Sequence, residues 1–332
     1  MQQNQHWQPT ASIDTLAKRA AIIQAIRDFF FKRGVMEVET PVLGKSTTTD
    51  LHIESLITEC YCPGERDKQK QFLQTSPEFP MKRLLAAGSG PIFQIGKAFR
   101  QDPTGRWHNP EFTLLEWYRP GFDDITLMDE VDTLLQVILS AKPAKHLSYQ
   151  AVFMSTLGIC PFSATLEELK KTLIQASIHV NFNLDEIDRD LYLQLLMSHL
   201  IEPGLGQSEP LFIYDYPLSQ GGFAKVKPHN PAITARFEVY IKGIELANGY
   251  HEITNADEQQ KRFEIDNDRR REAGFETIPL DENLLAALRS GFPDCSGVAL
   301  GIDRLIMLAL KKTSISEVMA FSMQPNNVHT VQ

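Results

Sequence analysis

Three stretches of the chain carry residues whose types and spacing suit chemistry on a charged ligand. The first reads as a strand over 92–100, ten polar or small residues over 101–110, and a second strand over 111–119. Ordinary hairpin loops run about two to five residues, so a loop of this length invites a binding role. Alternation along the second strand sets Phe112, Leu114, Glu116 and Tyr118 on one face, an aromatic plate, a carboxylate and a phenol able to line one pocket. On the first strand Gly96, Ala98 and Arg100 share a face that is small up to its terminal guanidinium, which suits the approach of a phosphate-bearing ligand. An amphipathic hairpin with a solvated arginine has the same spacing, and spacing alone leaves both readings open.

The second stretch, 296–305, is a glycine-punctuated strand that breaks at Gly301 and enters an apolar helix, with Arg304 in the first helical turn. A cation there opposes the helix dipole, so a bound anion explains it better than helix stability does. A surface arginine on a strand-to-helix turn is the alternative. The third stretch, 241–252, sets Glu245 and Glu252 on either side of a break expected at Asn248-Gly249. Acids in a β-rich run need partners: either Mg²⁺ shared with the phosphates of a nucleotide, or nearby arginines. Several other chemistries drop out. Gly44-Lys45-Ser46 lacks the upstream glycine of a P-loop, and no strand–G-x-G-x-x-G–helix unit occurs. His251-Glu252 lacks the second histidine of a zincin, Asn255 standing in its place, and no G-x-S-x-G nucleophile elbow is present.

The same sequence spells out the elements that must hold these residues. A helix capped near Ser12 or Asp14 presents Leu16, Ala20, Ile23, Ile26 and Phe30 on one face and stops at Gly34. A strand over 35–40 follows, halted by Pro41. Further strands are expected over 71–74, 211–216, 236–246 and 297–300. Between 123 and about 202 the pattern turns helical, with helices over 127–140, 165–176 and 186–199. The simplest organisation is one antiparallel-rich α+β domain over 1–332, with a mostly helical insertion at about 123–205.

Forty-two acidic against 33 basic residues leave a net charge of −9, the wrong sign for bulk binding to phosphate backbones. A composition 42% hydrophobic and 23% charged excludes a disordered polyelectrolyte. No apolar run approaches the ~20 residues of a membrane helix, and residues 1–7 lack the pattern of a secretory signal, so no membrane association and a cytoplasmic location are expected. Cys60, Cys62, Cys160 and Cys295 are too few and scattered for a disulfide framework and are read as reduced thiols.

Taken jointly, the segments resemble the motifs of class II aminoacyl-tRNA synthetases. Residues 30–41, Phe-Phe-Lys-Arg-Gly-Val-Met-Glu-Val-Glu-Thr-Pro, resemble motif 1; residues 99–118 resemble motif 2, and Gly301-Ile302-Asp303-Arg304 motif 3. Thr75-Ser76-Pro77-Glu78 and Glu245-Leu246-Ala247-Asn248-Gly249 are similar to the lysyl-tRNA synthetase branch. The resemblance implies the class II catalytic core, an antiparallel sheet flanked by helices. It also implies ATP as co-substrate, with Arg100 on the α-phosphate, Arg304 and His108 near the γ-phosphate, and Phe112 against adenine. Gln101, Asp102, Asn109, Glu245, Leu246 and Gly301 would complete the nucleotide site. Ser76, Pro77, Glu78, Glu116, Tyr118, Glu252 and Ala299 would hold an amino acid with a distal amine, since a buried ammonium requires counter-charge. Glu245 and Glu252 are the expected Mg²⁺ ligands.

Two departures refine the expectation. Gln101-Asp102 replaces the usual Asn-Glu after the motif 2 arginine, keeping amide and acid. About 30 residues precede motif 1, so neither an anticodon-binding barrel nor tRNA as a partner is expected. That truncated form resembles the elongation factor P–(R)-β-lysine ligases, which implies (R)-β-lysine and elongation factor P as substrates. A lysyl-tRNA synthetase-like enzyme acting on tRNA, or a non-catalytic amino-acid-binding regulatory paralogue, are the alternatives. Ala299 stands where lysyl-tRNA synthetases carry glycine, and its methyl is expected to disfavour α-lysine. Motif 1 implies a homodimer, which would also cover Phe29, Phe30 and Phe31.

Overall fold

The computed structural model describes residues 7–61, 63–64, 66–178, 183–184 and 187–323. Cys62 and the expected helix start at Glu186 lie outside the described residues. In chain order the first elements are α1 (Ile13–Phe31), β1 (Met36–Glu37), β2 (Leu43–Gly44), β3 (Ile57–Tyr61), β4 (Lys68–Leu73), α2 (Glu78–Ala86), β5 (Ile92–Phe99) and β6 (Glu111–Pro120). There follow α3 (Asp124–Leu139), β7 (Lys145–Ser148), α4 (Tyr149–Leu157), α5 (Leu166–Gln175), α6 (Arg189–Leu196), β8 (Leu211–Pro217), β9 (Val226–Lys227), β10 (Asn230–Ile241) and β11 (Ile244–His251). The chain closes with α7 (Ala256–Glu272), α8 (Glu282–Arg289), β12 (Cys295–Gly301) and α9 (Ile302–Ala309). Two compact units result: one from the described parts of Met1–Pro120, Thr254–Asp294 and Ala299–Gln332, the other from Gly121–Ile253 and Cys295–Val298.

In the first unit, α1 starts where Ser12 Oγ accepts from Thr15 N at 3.1 Å, satisfying a backbone donor that the helix itself cannot. It ends at Gly34, whose φ of +66° is the left-handed conformation that glycine adopts without strain. Phe30 on its buried face stacks on Phe93 of β5, ring centroids 4.6 Å apart, and meets Trp117 of β6 edge-on at 5.2 Å. The antiparallel register pairs Phe93 with Trp117 and Gln94 with Glu116, so the hairpin has two distinct faces. Phe93, Ile95, Leu115 and Trp117 face the side of α1, and Gln94, Gly96 and Ala98 lie opposite Glu116, Leu114 and Phe112 on the other.

The strand expected over 35–40 is shorter. Only β1 pairs, parallel to β5 through Met36 with Ile92, and one further bond runs from Val38 N to Phe93 O. Beyond it the chain leaves the sheet ahead of Pro41, which has no N–H to donate. A small antiparallel sheet, β2–β4–β3, was not expected in full, because β2 and β3 are short and largely exposed.

One ion pair ties three distant segments of this unit. Arg19 of α1 places Nη1 2.7 Å from Asp303 Oδ1 at the start of α9. Asp303 Oδ2 accepts from Thr113 N of β6 at 2.7 Å, and Arg19 Nη2 donates to Thr113 Oγ1 at 3.0 Å.

In the second unit, β10 pairs antiparallel with β8 and β11, and β7 runs parallel to β8. Helices α4, α5 and α6 bury Phe153, Leu169, Leu173, Leu193 and Leu196 in one cluster with Leu211 and Ile213 of β8. The single strand expected over 236–246 is in fact the hairpin β10–β11. Its two-residue turn, Lys242-Gly243, has φ of +53° and +74°, the positive values a twisted two-residue hairpin needs. Asn248-Gly249 is correspondingly not a break but lies inside β11. Gly249 is required there by close approach, since a Cβ would sit 2.3 Å from the Phe237 ring.

Among the described residues no helix is long and apolar enough to cross a membrane. Removing Asp303 leaves the Arg19 guanidinium and the Thr113 N–H without their partner in a site where both side chains of the pair are largely buried. Asp303→Ala is therefore expected to lower the unfolding free energy by about 3 kcal/mol or more, measured as a shift in urea midpoint at constant slope.

Candidate active site

The first cluster of the first unit is built where β6 meets the start of α2. Pleating turns Glu116 and Tyr118 to one face of β6, and Tyr118 OH donates to Glu116 Oε1 at 2.7 Å. Ser76 Oγ donates to Glu116 Oε2 at 2.6 Å and accepts from Glu78 N at 3.0 Å. Pro77 occupies the cap position of α2, where a missing N–H costs nothing. Glu78 and Lys82, one turn apart on α2, pair at 2.6 Å. Glu116 is only 2% exposed. Burial, and then repulsion from Glu78, push its pKa up from 4.5 to about 7 against the opposing pull of Ser76, Tyr118 and Lys82. Two carboxyl groups held against one lysine give the cluster surplus negative charge once Glu116 ionises, the condition for receiving a cation.

The second cluster surrounds the long loop of the hairpin. The Arg100 guanidinium, two residues beyond the Ala98 that pairs with Phe112, lies 5.2 Å from the centroid of the Phe112 ring. Its Nη2 makes only a long contact of 3.5 Å to Thr75 O, and its buried Nε meets no acceptor among the described residues. An unpaired buried N–H on a cation is a standing demand for an anion, and a phosphate oxygen fits it. Arg304 donates through Nε to Trp107 O at 3.2 Å, and its Nη2 lies 2.9 Å from His108 Nε2. A guanidinium can only donate, so Nε2 accepts and the imidazole proton sits on Nδ1. Withdrawal from solvent and then Arg304 hold the His108 pKa below its ordinary value, with Asp102 opposing and Arg100 assisting.

The remaining loop residues are more structural than the sequence suggests. Asn109 is spent on backbone, with Nδ2 donating to Glu111 O at 2.6 Å and Oδ1 accepting from Met323 N at 2.9 Å. Gln101 Nε2 donates to Ser55 O at 3.1 Å. Gly301 caps α9 with φ of −72°, and a Cβ there would meet only the Arg304 side chain at 3.7 Å. The backbone therefore does not require glycine here. What the missing side chain provides is room beside Arg304. Ala299 lies two residues earlier on β12, the same pleat face as Gly301.

Glu245, Leu246 and Glu252 belong to the second unit. The register of β10 with β11 jumps between Val239–Ala247 and Tyr240–Glu245, so Leu246 is an extra, bulged residue. The bulge resets the alternation: Glu245, Asn248 and Tyr250 lie on the face that carries Tyr240, Glu238 and Arg236, and Glu252 continues it. At ~3.3 Å per residue Glu245 and Glu252 are nonetheless about 20 Å apart along the strand, beyond the reach of one Mg²⁺ with ligands at ~2.1 Å. If both are Mg²⁺ ligands, as the resemblance implies, that spacing calls for more than one ion. Among the described residues no group of three or more His, Cys, Asp or Glu side chains is placed to hold a metal.

Sequence reasoning left Lys82, Asp303, Arg19 and Thr113 without a role. The acid–base spacing of Glu78 and Lys82 is legible as a helical pair, but no sequence signal links Arg19 to residues 94 and 284 positions away.

Motif 1, motif 2 and motif 3 segments thus converge within one unit, with two guanidiniums at one end of the hairpin face and two carboxylates further along it. The chain belongs to the tRNA synthetases class II (D, K and N), whose family pattern matches residues 6–325. Within that class, the elongation factor P–(R)-beta-lysine ligase of Photobacterium profundum is 53% identical over 321 residues, covering 96% of this chain and 98% of the relative. The protein of that name from Vibrio parahaemolyticus is 53% identical over 316 residues, covering 95% and 98%, and that from Salmonella gallinarum 51% over 322 residues, covering 97% and 99%.

The elevated pKa of Glu116 links the site to stability. Because the fold favours its protonated form, the contribution of this group is fully present below about pH 4.5 and is lost as pH rises through about 7. In Glu116→Gln that loss disappears, so its melting temperature should exceed that of the unmutated protein above pH 7 and converge with it in acid. Calorimetry of both proteins across this range checks the sign.

Proposed function

We propose that this chain is an ATP-dependent ligase that converts (R)-β-lysine to its adenylate and transfers the acyl group to the ε-amine of a lysine on elongation factor P. The observation that carries this reading is the buried Glu116, paired with Glu78 in a cation-seeking cluster on the same strand face as Phe112 and Arg100. The relatives' names supply the particular substrates.

In the first step a carboxylate oxygen of β-lysine attacks the α-phosphorus of ATP, the bond to the bridging oxygen breaks, and pyrophosphate leaves. Arg100 offers its orphan N–H to the phosphorus-bound oxygens. Arg304 and neutral His108 receive the departing charge. No residue of the protein is acylated, so rate enhancement comes from positioning and preorganised charge. In the second step the target amine attacks the acyl carbon, the bond to AMP breaks, and the amine loses a proton. Ser76, Glu78, Glu116 and Tyr118 hold the distal ammonium of the substrate. By motif match alone, Glu252 joins that set, and Glu245 and Leu246 join the nucleotide site. Magnesium would arrive with ATP, whose phosphates supply most of its oxygens, and needs at most one or two carboxylates from the chain. The same match treats 1–332 as a single catalytic domain with 123–205 as its helical insertion.

ATP–pyrophosphate exchange with a panel of lysine isomers tests the assignment. Exchange should depend on (R)-β-lysine, and Arg100→Ala or Arg304→Ala should each cost at least ~10² in rate, the scale of one preorganised donor. In the same assay Ala299→Gly should raise activation of α-lysine relative to β-lysine by roughly tenfold, since one methyl decides about 1 to 3 kcal/mol. Wild-type exchange rates in either arginine variant would refute the adenylation mechanism.

The chain is also proposed to form a homodimer through residues 30–41. Phe29 and Phe30, which the sequence leaves in need of cover, are buried by their own unit. Phe31, at 83% exposure, and Met36, at 50%, remain uncovered beside them. Light scattering should give twice 37.6 kDa, and Phe31→Glu should reduce that mass to one chain.

A further inference from the structure

One buried charge of the first unit has no part in the reaction described so far. Lys82 is 1% exposed, and its Nζ lies 2.6 Å from Glu78 Oε1. A lysine is seldom so deeply buried, because taking an ammonium out of water is unfavourable unless counter-charge replaces the lost solvent. The helix does not require it, since a pair at this spacing serves α2 equally well in solvent. What burial adds is location: the Lys82 charge stands beside both Glu78 and Glu116, and it pulls on the Glu116 titration as well as pairing with Glu78. The cluster therefore contains two acids and one resident base, one charge short of balance.

We propose that Lys82 is a positioning residue of the amine pocket: a resident ammonium that holds the Glu78 carboxylate in place and sets the pocket charge so that one incoming ammonium balances it. The inference rests on the reading of this pocket as the seat of the substrate's distal amine. The groups bearing on Glu116 are Glu78 and Lys82 of α2, Ser76 just before it and Tyr118 on its own strand, with Gln94 opposite on β5. Without Lys82, two carboxylates would be buried side by side, and Glu116 would hold its proton to higher pH. Substrate would then bind only by expelling that proton, a penalty that fades as pH rises.

The test is exchange kinetics with (R)-β-lysine from pH 6 to 9 in the full chain and in Lys82→Met. The expected result is a KM for β-lysine about tenfold above that of the unmutated protein at pH 7, with the gap closing to about twofold at pH 9. KM for ATP should stay the same at every pH, which a general loss of structure would not allow. The double variant Glu78→Gln, Lys82→Met removes one acid together with its partner base and decides the matter if the single variant does not fold. Repulsion and counter-charge are removed together, so the pH at which its β-lysine KM turns should stay near the unmutated value, and a move of more than about one unit overturns the proposal. A loss in Lys82→Met that is equal at all pH values, or shared by ATP, or absent, overturns it as well. If the unmutated protein shows no β-lysine-dependent exchange, the functional reading fails and the inference with it, a result distinct from any of these.

Discussion

The ion pair between Arg19 and Asp303 is the constraint on which the first unit's geometry turns. Asp303 spends one oxygen on a guanidinium from α1 and the other on the backbone N–H of Thr113 in β6. Arg304 follows Asp303 directly, so the direction of its guanidinium is inherited from a residue locked on two sides. Thr113 adjoins Phe112, and through the strand register Phe112 stands opposite Ala98 with Arg100 just beyond. Helix α1, the β5–β6 hairpin and α9 are thus referred to a single carboxylate.

The site separates charge by sign along one face of the hairpin. At the loop end Arg100 and Arg304 stand near His108, whose pKa is lowered first by burial and then by the two guanidiniums. Nearer the other end two acids, Glu116 and Glu78, outnumber one base, Lys82. Each end carries an unmet electrostatic demand: a buried Arg100 Nε without an acceptor among the described residues, and a Glu116 carboxyl whose pKa burial raises to about 7. Under the proposed function, a zwitterionic amino acid with a second amine, lying beside a nucleotide, would relieve both at once.

The second unit makes the complementary point about backbone. A single bulged residue, Leu246, restores Glu245 and Glu252 to a common face that simple alternation would deny them, while leaving them too far apart to share an ion. Gly249 appears in the sequence as a chain-breaker and proves to be a packing residue under Phe237. In both cases the residue types are informative and the geometry they report on is tertiary.

The sequence alone determined what depends on local period and composition. The helix from Ser12 to Gly34, the β5–β6 hairpin and its two faces, and the placement of Arg304 at a helix start all follow from alternation, capping and glycine stops, which are properties of neighbouring residues. Motif resemblance added the expectation that Arg100, Glu78 and Glu116 meet the ligands. Only the tertiary structure decided the rest. That Asn109 serves its loop, that Asp303 joins Arg19 and Thr113, that the 236–246 run is a hairpin turning at Lys242-Gly243, and that Lys82 is buried beside two acids depend on partners far away in sequence. Periodicity fixes which way a side chain points from its own element, but burial and charge balance are set by what other elements bring to meet it.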